Sequence, residues 1–130
     1  LRNIEATGQF VVNTVSEWII GPMNQCSAEY PYGVDEMKKV GLTPVSSLKI
    51  KPPRVKESPI QFECELLQKV QIGDGSEGSS TIVIGKIVWI HIFDKAYQNG
   101  KIQLSEIKPI ARLGGINYST LGNVFALPRP

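Results

Sequence analysis

Two segments, IQFECELLQKVQI (Ile60–Ile72) and TIVIGKIVWIHIF (Thr81–Phe93), decide how this chain folds. In the first, apolar side chains alternate with polar ones from Ile60 to Leu66, which is the period of a strand with one buried and one solvated face. In the second, apolar residues occupy both faces, as in a central strand of a closed barrel. The polar sequence between them, GDGSEGSS, is typical of a hairpin loop. We therefore predict an antiparallel hairpin with residues 73–80 as its loop.

The same loop contains a GxGxxG pattern, from Gly73 to Gly78. This pattern binds a dinucleotide only when a strand precedes it and a helix follows it, so that the helix N-terminus meets the pyrophosphate. The residues that follow here, Thr81 to Ile84, are β-branched and favour a strand. We interpret the pattern as a loop and not as a nucleotide-binding fingerprint.

The first residues, LRNIEATG, have the pattern of the last turns of a helix that ends at Gly8. A short strand is predicted next, over Gln9–Asn13. Since the helix has no starting signal and the chain opens on Leu1, we expect a chain that is truncated at its N-terminus.

Two short helices are predicted before the hairpin. Thr14 and Glu17 have the spacing of a capping box, so a helix is expected from Trp18 until Gly21-Pro22 interrupts it. The second helix is expected over residues 36–40, with Asp35 as its cap and Gly41 at its end. Residues 42–59 contain four prolines and predict an irregular connection, and Asn99-Gly100 predicts a further turn.

Composition limits the classes of partner. The 130 residues are enough for one domain, with 42% hydrophobic residues, 20% charged residues and a net charge of +2. We expect no nucleic acid and no membrane as partner, because the charge is small and no apolar run reaches about 18 residues. Cys26 and Cys64 lack metal-ligand spacing, so no metal is expected, and in the absence of a signal peptide a reduced, cytoplasmic protein is predicted.

Three groups of polar residues could carry chemistry. His91 is the only histidine, and it is either a partly buried strand residue, which the periodicity favours, or a proton-relaying group facing a cofactor cavity. Glu63 and Glu65 share one face of their strand, which we expect to be solvated. The segment RLGGINY, from Arg112 to Tyr118, either approaches a ligand with an anionic group and a flat ring or forms a tight turn with surface side chains.

Five stretches occur in the order in which a known family has them: LRNIEATGQFVVN, EYPYGVDEMKKVGL, PPRVKESPIQFECEL, IVIGKIVWIHIFD and IKPIARLGGINYS. Through them the chain resembles the C-terminal two-thirds of the flavin reductase-like family of FMN-binding split barrels. The resemblance implies a mainly β fold, an antiparallel Greek-key split β-barrel with a few short helices, formed by one domain over residues 1–130. It also implies a homodimer with FMN at the subunit interface.

The resemblance further implies a function. Family members transfer hydride from NADH or NADPH to flavin, some of them with a monooxygenase as partner, and others are flavoredoxin-like electron carriers or flavin-binding modules without catalysis. The matching positions imply catalytic roles for His91, Arg112 and Tyr118. Four further residues are implied to bind the cofactor: Arg2, Asn3, Ser58 and Glu63.

Overall fold

The predicted hairpin is the largest element of the computed structural model, which describes residues 1–130. The chain is mainly β with short helices. The elements in chain order are α1 (Arg2–Thr7), β1 (Gln9–Asn13), α2 (Ile20–Gln25), α3 (Glu36–Val40), β2 (Pro44–Val45), β3 (Arg54–Val55), β4 (Ile60–Ile72), β5 (Ser80–Ile92), β6 (Tyr97–Gln98), β7 (Lys101–Ile102), α4 (Leu104–Ile107), β8 (Ile110–Gly114) and β9 (Asn117–Thr120).

The hairpin prediction is confirmed, because β4 and β5 pair antiparallel from Ile60–Ile92 to Ile72–Ser80. No helix begins near Gly78, so the interpretation of the glycine-rich stretch as a loop is confirmed as well. β1 pairs antiparallel with the other edge of β4, which gives a three-stranded sheet in the order β1-β4-β5.

The expectation that the second long segment is a central strand of a closed barrel is wrong for this chain. β5 is an edge strand, and the remaining strands form two-stranded pairs, β2–β3, β6–β7 and β8–β9, without closing a barrel. Large apolar side chains of β5 are therefore exposed, among them Ile87 at 50% and Trp89 at 42%. Apolar residues on both faces of a strand indicate that other protein surfaces pack on both faces. The pattern does not identify which strands or subunits provide those surfaces.

The burial of β4 also differs from its polar–apolar alternation. Glu65 is exposed as expected, but Gln61 and Glu63 are buried, with Glu63 fully inaccessible. The connection between β2 and β3 covers this part of the strand and provides hydrogen-bond partners for the Glu63 carboxylate. A period of two identifies a strand, whereas the elements that pack on it decide which face is buried.

The predicted helix ends are confirmed in two places. α1 ends at Gly8, whose φ of 66° is left-handed and whose N–H donates to the Ile4 carbonyl at 2.8 Å. α3 begins at Asp35, whose carboxylate accepts the Lys38 N–H at 3.2 Å, and it ends at Gly41. Asn99 and Gly100, both with positive φ, form the predicted turn, which joins β6 to β7.

The capping-box prediction is wrong. The Thr14 hydroxyl binds the backbone of Ile60 and not the start of a helix, while the Glu17 N–H donates to the Lys108 carbonyl. A single 3-10 turn over Glu17–Ile19 leads directly into α2, which continues through Gly21 and Pro22. Pro22 does not interrupt α2 because it lies in the first turn, where backbone N–H groups have no partner within the helix.

The three-stranded sheet depends on a close approach at Gly85. A Cβ atom on this residue would lie 2.4 Å from Cζ of Phe10, a side chain of β1, and 3.2 Å from Cβ of Cys64 in β4. Gly85 has no positive φ, so its requirement for glycine is one of space and not of backbone conformation. The Phe10 ring thus packs on β5 at Gly85, which has no side chain.

We predict that Gly85→Ala lowers the free energy of unfolding by about 1–3 kcal/mol, because the ring must move from its packed position. Urea denaturation measures the change. Gly21→Ala is the matched control, since a Cβ there meets nothing within 4 Å and the residue is helical. The control variant should unfold at an unchanged or slightly higher urea concentration, and equal effects of the two substitutions would contradict the packing argument.

Candidate functional site

The centre of the candidate site is the buried carboxylate of Glu63 on β4. Its two oxygens accept the backbone N–H groups of Leu48 at 2.8 Å and Lys49 at 2.7 Å. Nε2 of His91, on β5, lies 2.6 Å from Oε1, and Nε of Arg54 lies 3.8 Å from the same oxygen. A carboxylate without access to water thus accepts three hydrogen bonds, two from the β2–β3 loop and one from β5, with the Arg54 guanidinium as a nearby counter-charge.

The three hydrogen bonds keep this carboxylate ionised. Burial alone would raise the pKa of Glu63, but the hydrogen bonds from the Leu48 N–H, His91 and the Lys49 N–H together hold it below its ordinary value. An ionised carboxylate only accepts hydrogen bonds. The proton of the neutral imidazole must therefore be on Nε2 of His91, which leaves Nδ1 as an acceptor.

Glu63 also fixes the β2–β3 loop, residues 46–53. Glu63 binds two N–H groups of this loop. A second anchor is the carbonyl of Ser46, the first residue of the loop, which accepts hydrogen bonds from Nε and Nη2 of Arg54 at 3.2 and 3.0 Å. The Lys51 N–H donates to the side chain of Gln9 at 3.0 Å. The loop carries two lysines, and Nζ of Lys49 lies 5.1 Å from the centre of the Trp89 ring.

A cavity of about 300 Å³ lies beside the Glu63–His91 pair. Its polar lining comes from Arg54, Lys56, Gln61 and His91, and no carboxylate lines it. Two permanent cations and an imidazole therefore face this cavity, which suits an anionic or electron-rich ligand.

Ser58 lies at the base of this region and is fully buried. Its hydroxyl is 2.7 Å from the Thr14 carbonyl and 2.9 Å from the Ile60 carbonyl, and it connects the end of β1 to the start of β4. The structure therefore gives Ser58 a position in the polar core, next to Gln61, whose amide donates to the Ser58 carbonyl at 2.6 Å.

Arg2 and Asn3 lie on α1, at a second groove. Asn3 lines a space of about 400 Å³ together with Thr7, Gln9 and Lys51. This donor set contains one ammonium group and no carboxylate. The Arg2 guanidinium lies 3.9 Å from the centre of the Tyr32 ring, a cation–π contact, and does not line the groove.

Arg112 and Tyr118 are cross-strand partners in the β8–β9 hairpin. The glycines between them, Gly114 and Gly115, have φ values of 133° and 55°, and a Cβ on either would meet nothing within 4 Å. The positive φ values at both glycines are those that the tight turn between β8 and β9 requires. Both polar side chains line a groove of about 760 Å³ against α2.

The sequence-predicted site residues thus fall into three pairs, with Ser58 in the core. Glu63 contacts His91, Arg2 is next to Asn3, and Arg112 pairs with Tyr118. Three residues were missed by sequence reasoning and are close to these pairs: Lys51, Arg54 and Gln61. A signal for Arg54 existed in principle, because a glutamate inside a strand, if it is buried, requires a cationic partner.

No group of three or more His, Cys, Asp or Glu side chains is arranged to hold a metal ion. Both cysteines are free, and burial raises the pKa of the Cys26 and Cys64 thiols. None of the helices is both long and apolar enough to cross a bilayer.

The fold defines a class of protein. The structure matches nitrilotriacetate monooxygenase component B from Bacillus cereus with a TM-score of 0.89 and 35% identity, over 97% of this chain and 63% of that one. It matches a protein with a split barrel domain from Shewanella frigidimarina with a TM-score of 0.87 and 31% identity, over 99% of this chain and 64% of that one. The chain therefore has the fold of part of a split-barrel flavin reductase.

The sequence agrees, since residues 1–105 match the family model of the flavin reductase like domain, and the chain belongs to that family. A relative in Bacillus subtilis, YwrF, is 35% identical over 99% of this chain. The chain spans 64% of the length of that relative.

We predict that Glu63→Gln lowers the free energy of unfolding by about 2–4 kcal/mol at neutral pH, because the NH2 group of the amide would face an N–H donor and the negative charge beside Arg54 would be lost. The pKa of Glu63 is lowered in the folded state, so its stabilisation is fully present above the ordinary value of 4.5 and is lost as the pH falls through the folded value. Urea denaturation from neutral to acidic pH should show the two proteins converging below about pH 4.5.

Glu65→Gln is the control, because Glu65 is two residues away on the same strand and is exposed. It should unfold like the wild type throughout. A Glu63→Gln deficit that is small, or that does not change with pH, would show that the carboxylate is not an ionised anchor.

Proposed function

We propose that this chain acts as a cytoplasmic FMN-dependent oxidoreductase of the NAD(P)H:flavin reductase type. The observation that carries the proposal is the cavity beside Glu63, which is lined by His91, Arg54 and Lys56 and by no carboxylate, in a chain of the flavin reductase like domain family.

The residues present fit a flavin mononucleotide in their chemistry. The groove at α1 has neutral donors and the Lys51 ammonium without a carboxylate, which suits a phosphate or a polyol. We propose that Asn3 and Lys51 hold this end of FMN, that Arg2 contributes positive charge beside them, and that Glu63 and Ser58 keep the adjoining backbone in position. When bound, FMN supplies the hydride-accepting ring, and NADH or NADPH supplies the hydride.

His91 is the residue proposed to handle a proton. Glu63 holds the imidazole by Nε2, so Nδ1 is the nitrogen that can accept or return a proton in the cavity. Arg54 and Lys56 would stabilise negative charge that develops on the ring system. No nucleophile is needed, because the redox chemistry belongs to the two nucleotides.

Arg112 and Tyr118, the other two predicted catalytic residues, line the groove at α2 and make no hydrogen bond to the Glu63–His91 pair. We propose that they contact a substrate. A flavin-dependent monooxygenase is a candidate partner, because the similar Bacillus cereus protein is a component of nitrilotriacetate monooxygenase.

We also propose that a second copy of the chain covers β5. Four large apolar side chains of this edge strand are between 41% and 50% exposed: Ile84, Ile87, Trp89 and Ile90. Soluble proteins rarely leave an edge strand and an apolar face uncovered together.

The function is tested by adding FMN to the purified protein and following NADH and NADPH oxidation by absorbance. We expect bound flavin and turnover with one of the two nucleotides. His91→Gln should lower kcat at least tenfold and leave FMN affinity within about twofold, because proton transfer contributes about a hundredfold or more.

Lys101→Gln, a change at an exposed lysine in the β6–β7 hairpin, is the control and should change neither quantity. Bound flavin that neither nucleotide reduces would identify an electron carrier or a flavin-binding module instead. A protein that binds no flavin would refute the proposal.

The homodimer is tested by sedimentation equilibrium. We expect a dimer for the wild type and a shift toward monomer for Ile87→Lys, because a lysine would place an unpaired charge in the interface. Lys86→Ala, at the neighbouring position, should remain dimeric. A monomeric wild type at high concentration would contradict the dimer.

A further inference from the structure

The groove between α2 and the β8–β9 hairpin has a volume of about 760 Å³, and the Glu63 site does not use it. We call it the hairpin groove, defined on the α2 side by Ile20, Met23 and Asn24 and on the hairpin side by Arg112, Ile116 and Tyr118. A volume of this size is within the range of small-molecule sites, about 300–1,000 Å³.

The two walls are connected at the Tyr118 hydroxyl, which donates to Oδ1 of Asn24 at 3.4 Å. The groove thus has an aromatic ring on one wall and aliphatic and thioether side chains around it. Ile116, at the tip of the hairpin, is 92% exposed and also lines the groove. These side chains form a slot that suits a flat apolar group.

The charge in the groove is unbalanced. Arg112 forms no ion pair, and its one hydrogen bond is a long contact of 3.5 Å from Nη2 to the Gly115 carbonyl. No carboxylate lines the groove, although Glu17 lines an adjoining recess that shares Ile20 and Tyr118. A guanidinium whose donors are largely free presents the planar fork that binds a carboxylate with two parallel hydrogen bonds.

We propose that the hairpin groove is a binding site for a planar aromatic carboxylate, with Arg112 as the partner of the carboxylate and Met23, Ile116 and Tyr118 against the ring. A dinucleotide fits less well, because a pyrophosphate would bring two negative charges to a single cation. The match to the flavin reductase like domain ends at residue 105, before the hairpin that provides Arg112 and Tyr118. Membership of the family therefore does not specify this ligand. The inference names the substrate class of the groove within the proposed function, while the binding itself needs no turnover.

The two methionines of the chain make a direct test available, because Met23 lines the groove and Met37 lies on α3 outside it. The protein as purified is labelled with ¹³C at the methionine methyl groups and titrated with benzoate, and Met37→Leu assigns the two signals. We expect saturable movement of the Met23 signal and a stationary Met37 signal. Benzyl alcohol, which has the ring without the charge, should bind at least about tenfold more weakly.

Arg112→Gln should weaken benzoate binding about ten- to a hundredfold, and Arg112→Lys should recover part of the loss. Arg129→Gln, the same change of net charge at an exposed residue outside the groove, should bind like the wild type. The comparison of benzoate with benzyl alcohol uses the wild type and so does not depend on the folding of any variant.

Several results would overturn the inference: no movement of the Met23 signal with benzoate, equal affinity for the alcohol, unchanged affinity in Arg112→Gln, or an equal loss in Arg129→Gln. Movement of Met23 with NADH but not with benzoate would identify the groove as a nucleotide site and would refute the aromatic acid. Failure of flavin reduction with benzoate binding intact would refute the proposed function alone.

Discussion

The burial of one carboxylate, that of Glu63, constrains the site more than any other feature. A charged group without access to water must be matched by donors or by an opposite charge. Here the donors come from the β2–β3 loop and from β5, and the opposite charge comes from Arg54 at the start of β3. The carboxylate therefore sets the path of the loop, the tautomer of His91 and the position of a guanidinium. His91 and Arg54 line the cavity in which we propose that the redox chemistry takes place.

Polar residues form a large share of the buried residues in this structure. Only eleven residues of the chain are buried, and four of them are polar: Ser16, Ser58, Gln61 and Glu63. Every buried side-chain nitrogen and oxygen has a hydrogen-bond partner. Hydrogen bonds thus determine the arrangement of the loops around β4, while a large apolar area on β5 is left for another surface to cover.

The fold could be predicted from the sequence where local chemistry decides it. The long hairpin follows from its periodicity, and the ends of α1 and α3 follow from Gly8, Asp35 and Gly41. The site could be predicted only in part. The register between β4 and β5 brings Glu63 next to His91, and this register cannot be deduced from either strand alone. The burial of Glu63 depends on the β2–β3 loop, and the sequence of β4 gives no indication of that loop. The capping box failed for the same reason, because the backbone of Ile60, 46 residues away, binds Thr14 instead.

An ionised, buried Glu63 holds His91 by Nε2 and leaves Nδ1 as the free nitrogen of the ring. A long-range ¹H–¹⁵N correlation spectrum of the imidazole, recorded at a pH where the ring is neutral, shows which nitrogen carries the proton. The chain has a single histidine, so the assignment is unambiguous. We expect a protonated Nε2 in the wild type, and a mixture of tautomers in Glu63→Gln. A proton on Nδ1 in the wild type, or the same spectrum in both proteins, would contradict this arrangement.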